Sequence, residues 1–533
     1  MTTGESTERK NLMTGPAHTP LAHPARTRAL LTVVAATVLA LLLSACGSGG
    51  GSGSADGGST GNATLKWAAS YFPANWDPVV SGSGAQFREL ALVYASLTKT
   101  DEKGNAVPDL AKSWEYNDRG DEVTFHIRPD QKFTDGEPVN AAAVKSAIER
   151  AKNQKDSALF GDLTSIKKVT TTGDLDVVVK LSQVDYQIPL LFGERVLQIA
   201  SPKAASDPKK LAQAPVGAGP FTVTQLIPGT KVLLKKNQGY WDAKNIHIDK
   251  VELISAPDTA TVVSGLQTGV YNFADLEPSQ ASAAKKAGLD LFVQPGFNAS
   301  NISLNINKAP FDNDKVVEAV RYATNRQEFV DKLGFGYGEP VDQPFPSAYV
   351  AYDPQSKNRY PYDLKKAKAL LAQAGFQPGE ITLDFVVPAA TPDTEIVQSQ
   401  LAALGITLKI KVDKNWTTPF FAKELPITVY GTTGRDSAVQ TLTAHFGPNG
   451  PLNLSSPYEP SGFEAAVAKV RQTPLDDPSY ADVLQAATRA GLESKALVFT
   501  YSSPNLFAKN KAISDLPKNP GHIDWTGVTI KGS

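Results

Sequence analysis

The N-terminal segment limits most strongly which part of this chain can fold, and it ends in the only cysteine. The first 28 residues are polar and carry Arg26 and Arg28, and an uncharged apolar run follows from Ala29 to Leu43. A basic segment before an apolar run of about 7–15 residues, closed by small residues, is typical of a secretory signal peptide. The run is shorter than the roughly 20 residues of a membrane-spanning helix. We predict that residues 1–45 are a signal peptide and that the folded body lies beyond it.

The end of this segment, Leu43-Ser44-Ala45-Cys46, resembles the bacterial lipobox. In that signal the cysteine is acylated and becomes the mature N-terminus, so we expect Cys46 to be lipidated. Several acyl chains hold a protein at a membrane where one chain binds only marginally. Residues 46–63 are rich in Gly and Ser and are predicted to form a flexible tether. The expected location is therefore extracytoplasmic, with the body anchored to the cell membrane through lipid on Cys46.

Composition excludes several kinds of partner and site. A single cysteine excludes a disulfide framework and a thiolate zinc site. The 53 Lys and Arg residues almost balance the 54 Asp and Glu residues, so no basic field attracts nucleic acid. We expect no metal, no cofactor, no nucleic-acid partner and a monomeric body.

Catalytic patterns are not apparent in the sequence. The histidines beyond residue 45 are far apart, and none has the spacing of a zinc-protease motif: His126, His247, His445 and His522. Asp and Glu residues are numerous, but no pattern marks a catalytic pair. We therefore predict that the protein is not an enzyme, and a secreted hydrolase is the least favoured alternative.

Local patterns indicate an α/β fold. Val123, Phe125 and Ile127 alternate with polar residues, which predicts a strand with one buried face. Asn140, Asp314 and Asp363 each precede an apolar pattern of helical period, and each is predicted to cap a helix. Interleaved strands and helices of this kind favour α/β over all-α or all-β architecture.

Several short sequence blocks lie along the chain. Tyr94 and Leu97 form a Tyr-x-x-Leu, Val107–Trp114 is similar to "VPxLAxSW", and Phe133–Pro138 is similar to "FxDGxP". Further blocks lie around these: Trp76–Pro78, Gly217–Phe221, Asn237–Trp241, Asn305–Gln327 and Tyr362–Gly375. In content and in order, these blocks resemble the extracellular solute-binding proteins of family 5, the oligopeptide- and dipeptide-type receptors of ATP-binding-cassette (ABC) importers.

The resemblance implies a two-lobed periplasmic-binding-protein-like fold of type II with two hinge crossings. Residues 64–297 would form lobe one, with an extra subdomain at about 107–215. Residues 301–498 would form lobe two, and residues 501–533 would return to lobe one.

The implied function is the capture of a small solute, peptide-like or otherwise polar, between the lobes and its delivery to an ABC permease. A sensor subunit that presents the ligand to a membrane receptor is the alternative, and the sequence does not separate the two.

The resemblance also implies where the ligand lies, at the cleft between the lobes. Aromatic and amide side chains are the usual lining of small-molecule clefts. The corresponding positions here follow the first strand, occupy the two crossings and belong to loops of lobe two: Tyr71, Phe72, Phe297, Asn298, Ser300, Tyr501, Tyr430, Gly431, Thr432, Thr433, Arg435, Asn453 and Tyr458.

One loop departs from the family's peptide-binding pattern. Many peptide-binding members carry "GWxxDYPDP" there, and its first Asp pairs with the peptide's α-amino group. Thr433 stands at that position in this chain, and the Pro is missing. A buried ammonium would lack its carboxylate partner, which is costly. We therefore expect weak binding of peptides with a free α-amino group, and Arg435 offers a positive charge for a carboxylate or phosphate instead.

Overall fold

The computed structural model describes residues 63–81, 87–193, 195–296, 299–432 and 437–531, and strands and helices alternate through them. The strands are β1 (Thr64–Ala69), β2 (Thr98–Thr100), β3 (Ala106–Pro108), β4 (Ala111–Tyr116), β5 (Glu122–Ile127), β6 (Ile166–Thr172), β7 (Asp176–Leu181), β8 (Phe221–Ile227), β9 (Lys231–Lys236), β10 (Lys250–Ser255), β11 (Phe273–Asp275), β12 (Asp290–Gln294), β13 (Ala299–Leu304), β14 (Glu339–Pro340), β15 (Ile381–Val387), β16 (Ile406–Val412), β17 (Ile427–Thr432), β18 (Leu497–Phe499), β19 (Tyr501–Ser502) and β20 (Asn505–Lys509).

The helices include several single turns. They are α1 (Phe87–Leu90), α2 (Ala141–Asn153), α3 (Ile188–Leu191), α4 (Pro202–Ala205), α5 (Pro208–Leu211), α6 (Val262–Gln267), α7 (Ala281–Lys286), α8 (Asp314–Ala323), α9 (Arg326–Lys332), α10 (Leu364–Gln373), α11 (Pro392–Leu404), α12 (Thr417–Phe421), α13 (Ala438–Phe446), α14 (Phe463–Arg471) and α15 (Tyr480–Gly491). Short 3₁₀ turns lie at Phe160–Leu163, Ala243–Asn245, Thr259–Thr261, Pro278–Gln280 and Pro354–Ser356.

Lobe one is built on a seven-stranded mixed sheet in the order β12-β20-β11-β1-β10-β9-β8. β1 runs parallel to both β10 and β11, and the other pairs are antiparallel. Because parallel neighbours end at the same edge of a sheet, the chain leaves β1, β10 and β11 side by side. This edge faces lobe two.

The subdomain of lobe one contains a four-stranded antiparallel sheet in the order β4-β5-β7-β6. The predicted alternation in β5 is confirmed, since Val123, Phe125 and Ile127 are each 0% exposed. Helix α2 packs on this sheet, and the Asn140 side chain accepts a hydrogen bond from the backbone N–H of Ala143 at 2.9 Å. The predicted cap at Asn140 is therefore confirmed.

Lobe two contains a three-stranded antiparallel sheet, β17-β13-β18, and a parallel pair, β15-β16, connected through α11. The cap at Asp363 is confirmed by its hydrogen bond from Lys366 N–H at 2.8 Å. The cap predicted at Asp314 is wrong by one residue. Asn313 accepts from the backbone N–H of Lys315 at 3.0 Å, and Asp314 is the first residue of α8, where its charge favours the helix dipole.

Two passages of chain join the lobes. One lies between Gln294 at the end of β12 and Ala299 at the start of β13, and the other between Ser502 and Asn505, the end of β19 and the start of β20. Each cluster of buried apolar residues in the described part of the chain draws its buried members from one lobe only. The lobes therefore have separate cores, whereas the residue bounds 64–297, 107–215, 301–498 and 501–533 stay predictions.

Two glycines of the resemblance blocks permit a close backbone approach. A Cβ atom on Gly217 would lie 2.2 Å from the Val93 carbonyl oxygen, and one on Gly219 would lie 2.6 Å from the Val93 carbonyl carbon. The Gly219 N–H donates to the Val93 carbonyl at 2.8 Å. This approach fixes the start of β8 against the loop that follows α1.

Candidate functional site

A cavity of about 660 Å³ lies between the lobes, beside both passages. Its lobe-one wall is the edge where β1, β10 and β11 end, and it contributes Ser70, Tyr71, Thr259 and Asp275 to the lining. Its opposite wall comes from the end of α9 and the start of α11 in lobe two. Ligands of α/β proteins commonly bind at the carboxyl ends of sheet strands, and this volume is in the usual range for small-molecule sites.

Three predicted residues meet at this cavity: Tyr71, Ser300 and Tyr501. Tyr71 follows β1 and is 55% exposed, which is unusual for so large a ring. Ser300 lies in β13 and Tyr501 in β19, each next to one of the two passages, and the Ser300 carbonyl accepts from the Thr500 backbone N–H at 2.8 Å. Residues next to the first strand and next to both passages therefore line one space.

The other predicted positions near the first strand and the passages divide into two groups. Phe72 is half-buried and packs edge-on against Trp76, with 6.2 Å between the ring centroids, so it supports the cavity wall from lobe one. Phe297 and Asn298, together with Thr433 and Arg435 of the lobe-two loop, lie outside the described residues.

The strand that leads into that loop is described. The backbones of Tyr430, Gly431 and Thr432 lie in β17 and pair with Asn301, Ser300 and Ala299 of β13, respectively. The end of β17 is therefore next to the first passage.

Asn453 and Tyr458 take structural positions in lobe two. Asn453 is 2% exposed, and its side-chain amide donates to the carbonyls of Gly447 at 2.9 Å and Tyr458 at 2.7 Å. The Tyr458 backbone N–H donates to the Ser455 carbonyl at 3.0 Å. These groups stabilise their own loop, neither residue lines the 660 Å³ cavity, and their role in ligand binding stays a prediction.

Charged side chains of lobe one also lie at the cavity, and the sequence did not reveal them. Arg88 lines it at 8% exposure, and Nη2 lies 3.9 Å from Glu89 Oε1 and 3.9 Å from Asp275 Oδ2. Asp275 accepts from Trp67 Nε1 at 3.1 Å and from the Ser70 N–H and hydroxyl at 2.8 and 2.6 Å. Glu89 is 0% exposed, and burial raises its pKa to about 8, while the charge of Arg88 opposes the shift and that of Asp275 adds to it.

Further lining residues come from both lobes. Phe335 is 57% exposed and follows α9, and Asp393 begins α11 opposite Glu277 of lobe one. Burial raises the pKa of Tyr501, a hydrogen bond with Ser503 opposes this shift, and the carboxylates of Asp393 and Glu277 add to it. No sequence block marked Phe335, Asp393 or Glu277, because their meeting depends on strand order and on the placement of the lobes.

A second interlobe region joins the subdomain to α13, α14 and α15, around a cavity of about 890 Å³. Asp185 is ion-paired with Arg471, and the Tyr186 N–H donates to the Arg471 carbonyl at 2.8 Å. Tyr480 donates its hydroxyl hydrogen to Gln187 Oε1 at 3.0 Å, and the Gln440 amide donates to Asp162 Oδ1 at 3.0 Å. We call this set the interlobe contact.

Searches for other kinds of site gave negative results within the described ranges. No group of three or more His, Cys, Asp or Glu side chains there is arranged to hold a metal ion. The helices found in those ranges include none with the length and apolar character needed to cross a membrane. His126 contacts Asp176 through Nδ1 at 2.8 Å on the surface of the four-stranded sheet.

Two lobes with separate cores, two connecting passages and a cavity between them define a periplasmic-binding-protein-like receptor fold. The model of the bacterial extracellular solute-binding proteins, family 5 Middle, matches residues 105–452. The chain belongs to this family. Solute-binding proteins of the family deliver peptides and related ligands to ABC transporters.

Known relatives are binding proteins. The glutathione-binding protein GsiB of Escherichia coli O157:H7 is 31% identical over 399 residues, which cover 72% of this chain and 76% of that protein. Heme-binding protein A of Haemophilus influenzae is 27% identical over 419 residues, 71% of this chain and 76% of that protein. The structure of HbpA2 from Haemophilus parasuis superposes with a TM-score of 0.75 at 26% identity, covering 88% of this chain and all of the other.

Proposed function

We propose that this protein is a lipid-anchored extracytoplasmic receptor that binds a small solute between its lobes and delivers it to an ABC permease. The observation that carries this proposal is the 660 Å³ cavity, whose walls come from lobe one, lobe two and the passage between Ser502 and Asn505. Exposed rings from opposite lobes, Tyr71 and Phe335, offer apolar surface to a solute there. A binding role without catalysis also agrees with the relatives, which are named as binding proteins.

Binding and delivery would follow from rotation about the two passages. A few residues at the ends of β12, β13, β19 and β20 can absorb such a rotation, as in other hinged proteins. A solute that contacts both lobes binds the closed form better than the open one, and only this difference shifts the equilibrium. The permease would then recognise the closed form.

Native mass spectrometry of the purified full chain tests the proposal directly. We expect a species heavier than the apoprotein by the mass of one bound small molecule, which is released on denaturation and can then be identified. If the protein carries no small molecule and binds none from a concentrated extract of the host's growth medium, the receptor function is wrong.

The ligand is expected to differ from unmodified peptides. This prediction rests on Thr433, which stands where peptide-binding members have the amine-binding Asp. Calorimetry with unmodified di- to pentapeptides should show only weak binding. Micromolar or tighter affinity for them would contradict the prediction, whereas the receptor function itself would stand.

Anchoring is tested by the substitution Cys46→Ala. Without the thiol no thioether to lipid can form, so we expect the protein to move from the membrane fraction to the culture medium. Cys46 is the only cysteine, so labelling with radioactive palmitate should disappear in the same variant. A Ser44→Ala variant serves as the control for changes near the cleavage position, and unchanged membrane retention of Cys46→Ala would refute the anchor.

A further inference from the structure

Arg88 has donors that its surroundings do not use. The residue lies in the single helical turn α1 and lines the 660 Å³ cavity with only 8% of its surface exposed. Its guanidinium stacks over the Phe507 ring at 5.3 Å from the centroid. The oxygens nearest to Nη2, on Glu89 and Asp275, are 3.9 Å away, beyond hydrogen-bond distance. Within the described residues, the guanidinium therefore donates no hydrogen bond.

Other buried arginines in the chain show the usual arrangement. Arg321 donates from Nη2 to the Ser494 carbonyl at 2.6 Å. Arg326 donates from Nε to the Phe499 carbonyl at 2.9 Å and from Nη1 to the Tyr360 carbonyl at 3.0 Å. A guanidinium has five N–H donors, and leaving them unpaired away from water is costly. Arg88 differs from Arg321 and Arg326 in donating to no backbone carbonyl of the described residues, although it is buried.

The two neighbouring acids do not satisfy Arg88. The Asp275 carboxylate already accepts three hydrogen bonds, from Trp67 Nε1 and from the backbone N–H and hydroxyl of Ser70. Burial raises the pKa of Glu89 to about 8, so this carboxyl carries a proton at neutral pH. The positive charge of Arg88 is then opposed by Asp275 alone, and its N–H groups stay available toward the cavity.

We propose that Arg88 binds a carboxylate group of the transported solute, so that the substrates of this receptor are carboxylate-bearing molecules. This inference rests on the proposed receptor function and narrows its substrate class. The planar guanidinium fork matches a carboxylate in two parallel hydrogen bonds. A singly charged group suits the position better than a phosphate dianion, because Asp275 and Glu277 also face the cavity and repel added negative charge.

Two aromatic rings of the cavity can contact the part of the solute that lies beyond its carboxylate. Tyr71 and Phe335 present exposed rings from lobe one and lobe two, and they offer apolar contact on either side. The carboxylate can be the C-terminus of a blocked peptide or part of a small organic acid, since both present the same group to Arg88.

Thermal-shift and calorimetric titrations of the full chain with paired compounds test this inference. The pairs are N-acetyl-trialanine and its C-terminal amide, succinate and succinamide, and glutarate and glutaramide, with methyl phosphate added as a different oxyanion. We expect stabilisation by acids and none by the paired amides. Comparison of the blocked peptide with the two organic acids shows which kind of carboxylate compound the cavity binds more tightly.

Variants separate recognition from folding. Arg88→Gln should weaken the binding of the acid by about tenfold or more, as expected for lost hydrogen bonds to a charged group. Arg88→Lys, which keeps the charge but not the fork, should recover part of the affinity. Arg119→Gln is the matched control, because Arg119 is 72% exposed on the subdomain surface, and its affinity should equal that of the wild type.

The outcomes are distinguishable. Equal binding of acids and amides, binding of methyl phosphate alone, or unchanged affinity in Arg88→Gln would each overturn the inference. Binding of neutral or cationic solutes without any carboxylate would overturn it and leave the receptor function intact. If the protein binds no compound and carries no co-purified molecule, both the inference and the receptor function fail.

Discussion

The interlobe contact and the 660 Å³ cavity both bury charged groups between the lobes, but they differ in how those groups are paired. In the contact, Asp185 is 1% exposed and meets the guanidinium of Arg471 from the opposite lobe. In the cavity, Arg88 and Glu89 lie on the same lobe and approach each other only to 3.9 Å. The ion pair of the contact is made between two protein side chains, whereas the guanidinium of Arg88 in the cavity has no hydrogen-bond partner among the described residues.

This difference separates two tasks that a hinged receptor has to perform. The contact stabilises the closed arrangement, because rotation about the two passages would separate Asp185 from Arg471 and Gln187 from Tyr480. The cavity adds the free energy that depends on the solute. A receptor needs both, since closure without solute must remain unfavourable enough for binding to change the population.

The largest effect is expected from breaking the contact with Arg471→Ala. Removing one partner of a buried ion pair costs about 3–5 kcal/mol when the other charge stays buried. Burial already raises the pKa of Asp185 against the opposing influence of Arg471. In this chain, opening of the lobes would expose the Asp185 carboxylate to water and so avoid the cost of an unpaired buried charge. We therefore expect Arg471→Ala to have a larger radius of gyration by small-angle scattering and to bind the solute more weakly.

A matched pair inside one lobe provides the control. Arg489 makes a two-point contact with Asp353 of the same lobe, at 2.7 and 3.0 Å, and Asp353 is 0% exposed. Opening of the lobes would not expose Asp353 to water, because both partners of this ion pair belong to the same lobe. Arg489→Ala should therefore lower the melting temperature while the radius of gyration stays the same. If Arg471→Ala behaves in the same way as Arg489→Ala, the contact is not a determinant of closure.

A second prediction concerns Glu89, the buried acid next to Arg88. The pKa of Glu89 is raised from 4.5 to about 8, so the folded chain keeps a proton there that the unfolded chain releases. Stability from this group is complete below about pH 4.5 and decreases as the pH rises toward 8, by no more than about 1.4 kcal/mol per pH unit. Glu89→Gln should flatten this dependence, so that the variant becomes more stable than the wild type at pH 8.

Denaturant unfolding at several pH values measures the Glu89 effect. Arg88 and Asp275 face the same group, and Glu89→Gln leaves both in place. Glu424→Gln, at an exposed position, controls for the loss of one acidic residue. Parallel pH profiles of the wild type and Glu89→Gln between pH 5 and 8 would contradict the buried, protonated state.

The sequence predicted those parts of the structure that depend on neighbouring residues. Asn140 and Asp363 cap helices because their side chains reach backbone N–H groups three residues ahead, and the alternation in β5 follows from its own pleat. The resemblance correctly implied the two-lobed fold. Three of the positions it implied, Tyr71, Ser300 and Tyr501, line the 660 Å³ cavity, and their contact with a ligand stays a prediction.

Residues brought together by sheet order could not be predicted in this way. Asp275 reaches Ser70 only because β11 lies next to β1, 205 positions away in the chain. Arg88 belongs to no sequence block, and its unused donors become visible only when the distances to Glu89 and Asp275 are known. The burial of Asn453 and its hydrogen bond to the Gly447 carbonyl could likewise be seen only in the structure.

The smallest of the three effects is expected for Tyr71→Ala in the cavity. The ring is 55% exposed and contributes little to the core, so its removal should leave the melting temperature nearly unchanged. If the solute covers the ring on closure, the lost contact weakens binding by about 1.5 kcal/mol, roughly tenfold in Kd. Tyr362→Ala removes an equally exposed ring, 51%, that does not line the cavity, and it should bind as the wild type does. Equal affinities for Tyr71→Ala and Tyr362→Ala would show that the Tyr71 ring does not contact the bound solute.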